Sequence, residues 1–170
     1  SRKPVIAARS GAPAGLGMIM ALCADMRFAT DKMVFTTAFA QRGLIAEHGI
    51  AWLLPKLVGP SNAIDLLMSA RRVSSQEAKE MGLVNKVFPQ ETFMQNVRDY
   101  ARILTDTVSP HSVAVIKAQL WKAMHESYIE NLAESDRQLV LNYPFPDYKE
   151  GVAHFIEKRA ANFPDLPKAG

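Results

Sequence analysis

The stretch Ser10–Asp25, SGAPAGLGMIMALCAD, passes from a loop of small residues into an apolar helix, and the rest of the chain is best interpreted from it. The junction Ala14–Gly17 has small side chains, which let a backbone approach a ligand closely. The apolar run that follows predicts a short buried helix over Gly17–Ala24. N–H groups in the first turn of a helix have no acceptor within it, so they can bind a phosphate, a carboxylate or the oxyanion of a carbonyl. The glycine spacing fits neither a P-loop nor a dinucleotide fingerprint, and a purely structural strand-to-helix turn also explains it.

Length and composition indicate one globular domain of an ordinary kind. The chain has 170 residues, of which 48% are hydrophobic and 22% charged, and its net charge of +3 is spread along the sequence. We therefore expect no nucleic-acid partner, and no apolar run is long enough to predict a membrane span. The single cysteine, Cys23, excludes a disulfide framework and fits a reducing, cytoplasmic location. We expect Cys23 to be buried in the apolar helix, where a thiol is a poor nucleophile.

The pattern of apolar runs and turns in residues 1–90 predicts a compact α/β unit. Buried strand Pro4–Ala8 precedes the helix, and strands Met26–Thr30 and Met33–Thr37 follow it as a hairpin. A buried strand needs neighbours on both sides, so we expect further strands from a longer chain or from other chains. Glycines and prolines then separate helices over Ile50–Leu57 and Ser61–Ser69.

The periodicity of residues 91–170 predicts a region that is nearly all helical. Before it, a helix begins near Ser74 or Ser75 and is followed by a short strand over Leu83–Phe88. Helical periodicity then covers Glu91–Thr107, Pro110–Leu141 and Tyr148–Asn162. The spacing of the histidines fits no metal site, so we expect no metal.

Five motifs, in this order and spacing, together resemble the crotonase superfamily of enoyl-CoA hydratases and isomerases. They are Ala14-Gly15-Leu16-Gly17 before a helix ending in Cys23-Ala24-Asp25, Phe39-Ala40-Gln41-Arg42-Gly43-Leu44, Trp52-Leu53-Leu54-Pro55-Lys56-Leu57-Val58-Gly59, Ser75-Gln76-Glu77-Ala78-Lys79-Glu80-Met81-Gly82-Leu83-Val84-Asn85 and Phe155-Ile156-Glu157-Lys158-Arg159.

The resemblance implies an α/β fold, a crotonase-like spiral of ββα turns followed by a helical trimerisation region. The match begins at Pro4, in the middle of the spiral, so we expect the spiral to be incomplete at the N-terminus. In the family the earlier turns supply a second oxyanion donor and much of the coenzyme A site. The resemblance also implies a coenzyme A thioester as substrate, no tightly bound cofactor, and a homotrimer or hexamer.

The family match assigns the backbone N–H of Leu16 as one oxyanion donor, with Gly15 and Gly17 beside it in the substrate site. Family hydratases use two glutamates, and here those positions hold Ile19 and Phe39. Because neither side chain moves a proton, the resemblance argues against the two-glutamate route of water addition.

Glu47 occupies the position where double-bond isomerases of the superfamily carry an acid. One carboxylate there could move a proton between C2 and C4 of a 3-enoyl thioester. Alternatively, Glu47 is a solvated loop acid or caps the helix near Ile50. His48 orients Glu47, contacts the substrate or faces away.

Phe155 and Lys158 lie three residues apart on a predicted helix, so we expect them on one side of it. In the family, an aromatic residue and a lysine near the C-terminus touch the nucleotide end of coenzyme A. An ordinary amphipathic helix explains the same pair. The sequence therefore favours an enoyl-CoA isomerase-like enzyme, and leaves open a hydratase or hydrolase that uses other residues and a non-catalytic acyl-CoA-binding subunit.

Overall fold

The computed structural model describes residues 1–11 and 15–166, so Ala14 of the predicted junction lies outside the described residues. The chain forms two compact units. Residues 5–98 form the first, which we call the sheet unit, and residues 1–4 with residues 99 onward form the second, the helical unit. The assignment of 1–90 as a spiral core and 91–170 as an oligomerisation region stays a prediction.

A parallel sheet of order β1-β2-β5 is central to the sheet unit. Its strands are β1 (Ile6–Arg9), β2 (Met26–Thr30) and β5 (Lys86–Phe88), with Ile6 opposite Met26 and Phe28 opposite Lys86. The predicted strand at Pro4–Ala8 exists but begins later and is only partly buried. Parallel neighbours require crossover connections, and helices α1 and α3 lie in those connections.

The predicted hairpin between Met26–Thr30 and Met33–Thr37 is wrong. Strand β3 covers only Val34–Phe35 and pairs antiparallel with β4 (Val73–Ser74) instead of with β2. Phe35 lies opposite Val73, and both side chains are buried. A segment distant in sequence therefore pairs with the backbone of β3. No local sequence pattern indicated this pairing.

The helices of the sheet unit follow the sequence patterns closely. They are α1 (Leu16–Leu22), α2 (Ile50–Ser69) and α3 (Ser75–Glu80), and α4 (Phe93–Asp106) begins in this unit. Helix α2 is interrupted at Gly59, whose φ of 78° and ψ of 157° are not helical, as the two predicted helices require. Helix α3 begins where predicted, because the Ser74 hydroxyl accepts a hydrogen bond from the Glu77 N–H.

One hydrophobic cluster fills the sheet unit. It joins α1, α2, α3 and the strand pair β3–β4, and its members include Met18, Ile19, Phe39, Ile50 and Leu54. Helix α1 contacts α2 directly. The segments that precede these two helices are thereby held by the same core.

The helical unit contains α5 (Pro110–Ala123), α6 (Tyr128–Asn142) and α7 (Pro146–Glu157), and α4 ends in it. The helical periodicity over Pro110–Leu141 corresponds to two helices, because the chain breaks between α5 and α6. Ser127 and Glu130 form a capping box there, in which each side chain bonds the other residue's backbone N–H. None of the described helices combines the length and the apolar character that crossing a bilayer demands.

Candidate active site

The turn before α1 presents backbone donors, as predicted for an oxyanion site. Gly15 has φ 54° and ψ −125°, a conformation that side chains other than glycine's rarely adopt, and its carbonyl accepts from the N–H groups of Met18 and Ile19. Across residues 1–11 and 15–166, no acceptor is present for the N–H of Leu16 or of Gly17. The Leu16 side chain is exposed. Two donors at this turn therefore have no acceptor among the described residues.

Arg9 lies beside this turn, and the sequence analysis missed it. A Cβ added at Gly17 would meet Nη2 of Arg9 at 3.2 Å, so the absence of a side chain at position 17 leaves room for the guanidinium. Arg9 is the last residue of β1 and is exposed. A positive charge at this place favours negative charge developing near the turn. Its position at the end of the strand that leads into the glycine turn was the available signal.

The two positions that hold glutamates in family hydratases lie inside the core. Ile19 is 6% exposed and Phe39 is 5% exposed, and both belong to the hydrophobic cluster of the sheet unit. A carboxylate placed there would be desolvated. The structure thus packs both positions as structural residues.

Glu47 lies in the segment between the left-handed residues Gly43 and Gly49. Its side chain is 39% exposed, and Oε2 lies 3.8 Å from Nε2 of His48. The Glu47 carbonyl accepts from the Ile50 N–H at 3.2 Å. Within the described part of the chain, its carboxylate makes no hydrogen bond to the first N–H groups of α2, so the capping alternative is not seen. The carboxylate is half-buried and available for proton transfer.

Leu16 is the first residue of α1, and Glu47 lies in the segment just before α2. Leu16 is three residues before Ile19, and Glu47 is three residues before Ile50. Ile19 and Ile50 belong to one buried cluster, and α1 contacts α2. The N-terminal ends of these helices are therefore fixed within the same unit.

Phe155 and Lys158 lie at the end of α7 in the helical unit. Phe155 is 79% exposed. Lys158 lies just outside the helix that carries Phe155, because α7 ends at Glu157 and Lys158 takes the left-handed conformation with φ 54°. That the two side chains share one side stays a prediction. Lys158 is exposed and lies one residue beyond the helix.

The other residues that could carry chemistry make structural contacts or none that indicates a site. Cys23 is exposed at the C-terminal end of α1, so the expectation of a buried thiol is wrong. The Asp25 carboxylate accepts a hydrogen bond from the Val5 N–H at 2.7 Å and fixes the turn into β2. His111 stacks on Phe145. The described residues hold no group of three or more His, Cys, Asp or Glu side chains placed to bind a metal ion.

Comparison with known proteins adds a family match. The family model described as Enoyl-CoA hydratase/isomerase matches residues 1–166. A protein of Mycobacterium tuberculosis named as a probable enoyl-CoA hydratase is 33% identical over 166 residues, which are 96% of this chain and 58% of the relative. A 1,2-epoxyphenylacetyl-CoA isomerase of Escherichia coli is 33% identical over 162 residues, or 95% of this chain and 61% of the isomerase.

A solved structure shows the same architecture. The crystal structure of a probable enoyl-CoA hydratase/isomerase from Mycobacterium abscessus superposes with a TM-score of 0.91 at 31% identity, covering 95% of this chain and 66% of that one. The predicted crotonase-like fold is thereby confirmed. The chain spans roughly three fifths of the length of the relatives it matches, 58% and 61% for the two above.

Proposed function

The chain belongs to the enoyl-CoA hydratase/isomerase family, and on that premise we propose that it moves the double bond of enoyl-CoA thioesters, with Glu47 as the acid and base. The observation that supports the proposal is twofold. N–H donors in the first turn of α1 have no acceptor among the described residues, and a half-buried carboxylate lies just before α2. Helices α1 and α2 pack in one core. The substrate class follows from the family. A cytoplasmic location stays a prediction.

The proposed reaction is a proton shuttle on a 3-enoyl thioester. The Glu47 carboxylate removes a proton from C2, and the electron pair of that C–H bond delocalises onto the thioester oxygen. The Leu16 N–H donates to this oxygen and stabilises its negative charge, with Gly15 and Gly17 shaping the turn. Protonated Glu47 then returns the proton to C4, the double bond moves to C2–C3, and the carbonyl re-forms.

Neighbouring residues support these steps in the proposal. His48 lies close enough to orient the Glu47 carboxylate, since the two side chains are 3.8 Å apart. Arg9 adds positive charge beside the turn. Phe155 and Lys158 contact the nucleotide end of coenzyme A, by analogy with the family.

The test is Glu47→Gln in the whole protein, assayed on a 3-enoyl-CoA thioester. Glutamine keeps the shape of the side chain but accepts no proton, so we expect kcat to fall by about 100-fold or more. Glu80→Gln serves as the matched control, because Glu80 is an exposed acid at the end of α3 and has no part in the proposed reaction. Unchanged turnover in Glu47→Gln, with a working parent enzyme, rejects Glu47 as the base.

A non-catalytic acyl-CoA-binding subunit is the second candidate, because Ile19 and Phe39 replace both hydratase glutamates. Acyl-CoA binding by calorimetry without turnover on either 2-enoyl or 3-enoyl thioesters would favour it. A hydratase or hydrolase using other residues is the third. Turnover of the 2-enoyl thioester to a hydroxyacyl product, or release of free coenzyme A, would identify that alternative.

A further inference from the structure

The chain after α7 folds back onto that helix through one carboxylate. Glu150 accepts two parallel hydrogen bonds from Arg159, Nη1 to Oε1 at 2.5 Å and Nη2 to Oε2 at 2.7 Å. Its Oε1 also accepts from the Asn162 N–H at 2.6 Å. We call these contacts the Glu150–Arg159 clamp. The clamp joins the second turn of α7 to the segment that follows the helix.

The clamp pairs the charge of Arg159 with acids but leaves the charge of its neighbour Lys158 without an ion pair among the described residues. Arg159 pairs with Glu150 and also with Glu157, at 2.5 Å, so its charge is balanced by two acids. Hydrogen bonds from Arg159 and from the Asn162 backbone lower the pKa of Glu150 to about 2. Lys158 makes no ion pair with any described acid. Of the two neighbours, only the Lys158 ammonium is left for an external anion.

The conformation of Lys158 depends on the same segment. Its φ of 54° is unfavourable for a residue with a Cβ. The Arg159 N–H donates to the His154 carbonyl at 3.2 Å, which closes the end of α7 in the manner of a Schellman motif. Because the Arg159 side chain is tied to Glu150, the backbone on both sides of Lys158 is fixed. This fixed backbone determines the direction in which the Lys158 side chain leaves the chain.

We propose that Glu150 is a positioning residue, which through Arg159 holds Lys158 where its ammonium meets the phosphates of coenzyme A. The inference rests on the proposed function, because it takes the contact of Lys158 with the nucleotide from there. It adds that this contact depends on an acid that does not itself touch the ligand. A free and misdirected lysine would lose part of its binding free energy to side-chain entropy.

The test measures the dissociation constant for coenzyme A by calorimetry in the whole protein, at low salt. Lys158→Ala is expected to weaken binding about threefold to tenfold, as the loss of one charge-assisted contact. Glu150→Gln is expected to weaken it about twofold to fivefold. The double variant is expected to bind no more weakly than Lys158→Ala alone, since residues acting as one unit are non-additive. Glu80→Gln is the matched control.

The double-mutant comparison separates positioning from general destabilisation. If Glu150→Gln weakened binding only by loosening the fold, its effect would persist in the Lys158→Ala background, and that additive result would overturn the inference. A parent-like dissociation constant in Glu150→Gln, with Lys158→Ala weakened, would also overturn it and leave the proposed lysine contact intact. Parent-like binding in Lys158→Ala would instead reject the lysine contact itself, and the inference with it.

Discussion

Gly15 is the residue on which the geometry of the proposed oxyanion turn depends most directly. Its φ of 54° and ψ of −125° are accessible to glycine and strained for any residue with a Cβ, although no atom of the described residues lies within 4 Å of an added Cβ. We predict that Gly15→Ala destabilises the protein by about 1–3 kcal/mol and lowers turnover as the donors shift. Thermal unfolding and kcat measure both effects.

Gly17→Ala is the natural control for that substitution. The φ of Gly17 is not in the positive range, and the nearest atom to an added Cβ is the far end of the Arg9 side chain, which can move. We expect a small change in unfolding temperature for this variant. Equal destabilisation by the two substitutions would mean that crowding, and not backbone conformation, governs this turn.

Ile19 and Phe39 are apolar residues at two positions where hydratases of the family carry catalytic glutamates. Both lie where the family places hydratase acids, and both are packed in the core. Their burial stabilises the packing of α1 against α2 and removes any proton-transfer role from these sites. The acid–base steps of the proposed reaction therefore need another residue, and Glu47 is our proposal.

At the scale of elements, a charged network joins α5 and α6. Glu134 accepts hydrogen bonds from Arg137, Gln138 and Lys122, and Lys122 also pairs with Glu126. The bonds from Arg137, Gln138 and Lys122, in that order, lower the pKa of Glu134 from 4.5 to about 2. The ionised form is thus favoured by folding.

The pH dependence of stability follows from the direction of this shift. A carboxyl group whose pKa is lower in the folded state contributes stability above its unfolded pKa and loses it as pH falls through the folded value. We therefore expect Glu134→Gln to be less stable than the parent above pH 4.5, with the difference shrinking as pH falls toward 2. Urea unfolding across this range is the measurement. A constant difference at every pH would contradict the electrostatic explanation.

At the scale of the whole molecule, the helical unit exposes many large apolar side chains. Among those more than half exposed are Ile116, Leu120, Tyr128, Ile129, Leu139, Val140, Phe155 and Ile156. A monomer rarely leaves so much apolar surface in water. This surface supports the prediction, first made from the family resemblance, of a homotrimer or hexamer.

Assembly is testable with one added charge. Ile129 is 70% exposed on α6, and a buried, unpaired carboxylate in an interface is costly. We predict that Ile129→Asp shifts the protein toward monomer in sedimentation equilibrium, whereas Ser61→Asp on α2 does not. A parent protein that sediments as a monomer would reject the predicted assembly.

The sequence alone predicted what neighbouring residues control. The apolar run in α1, strand β2 and the Ser74 cap of α3 were all found near their observed places, because each depends on a few adjacent residues. The order and spacing of the motifs were sufficient to predict the family. The break between α5 and α6 was missed although its signal, the Ser127–Glu130 capping box, was local.

The tertiary structure decided what distant residues control. The pairing of β3 with β4 joins segments some forty residues apart, and α2 intervenes, so no window of sequence showed it. The exposure of Cys23 and the place of Arg9 beside Gly17 depend on how α1 packs on the sheet and on α2. Local conformation is governed by short-range steric and hydrogen-bonding preferences, whereas burial and strand pairing depend on which remote surfaces meet.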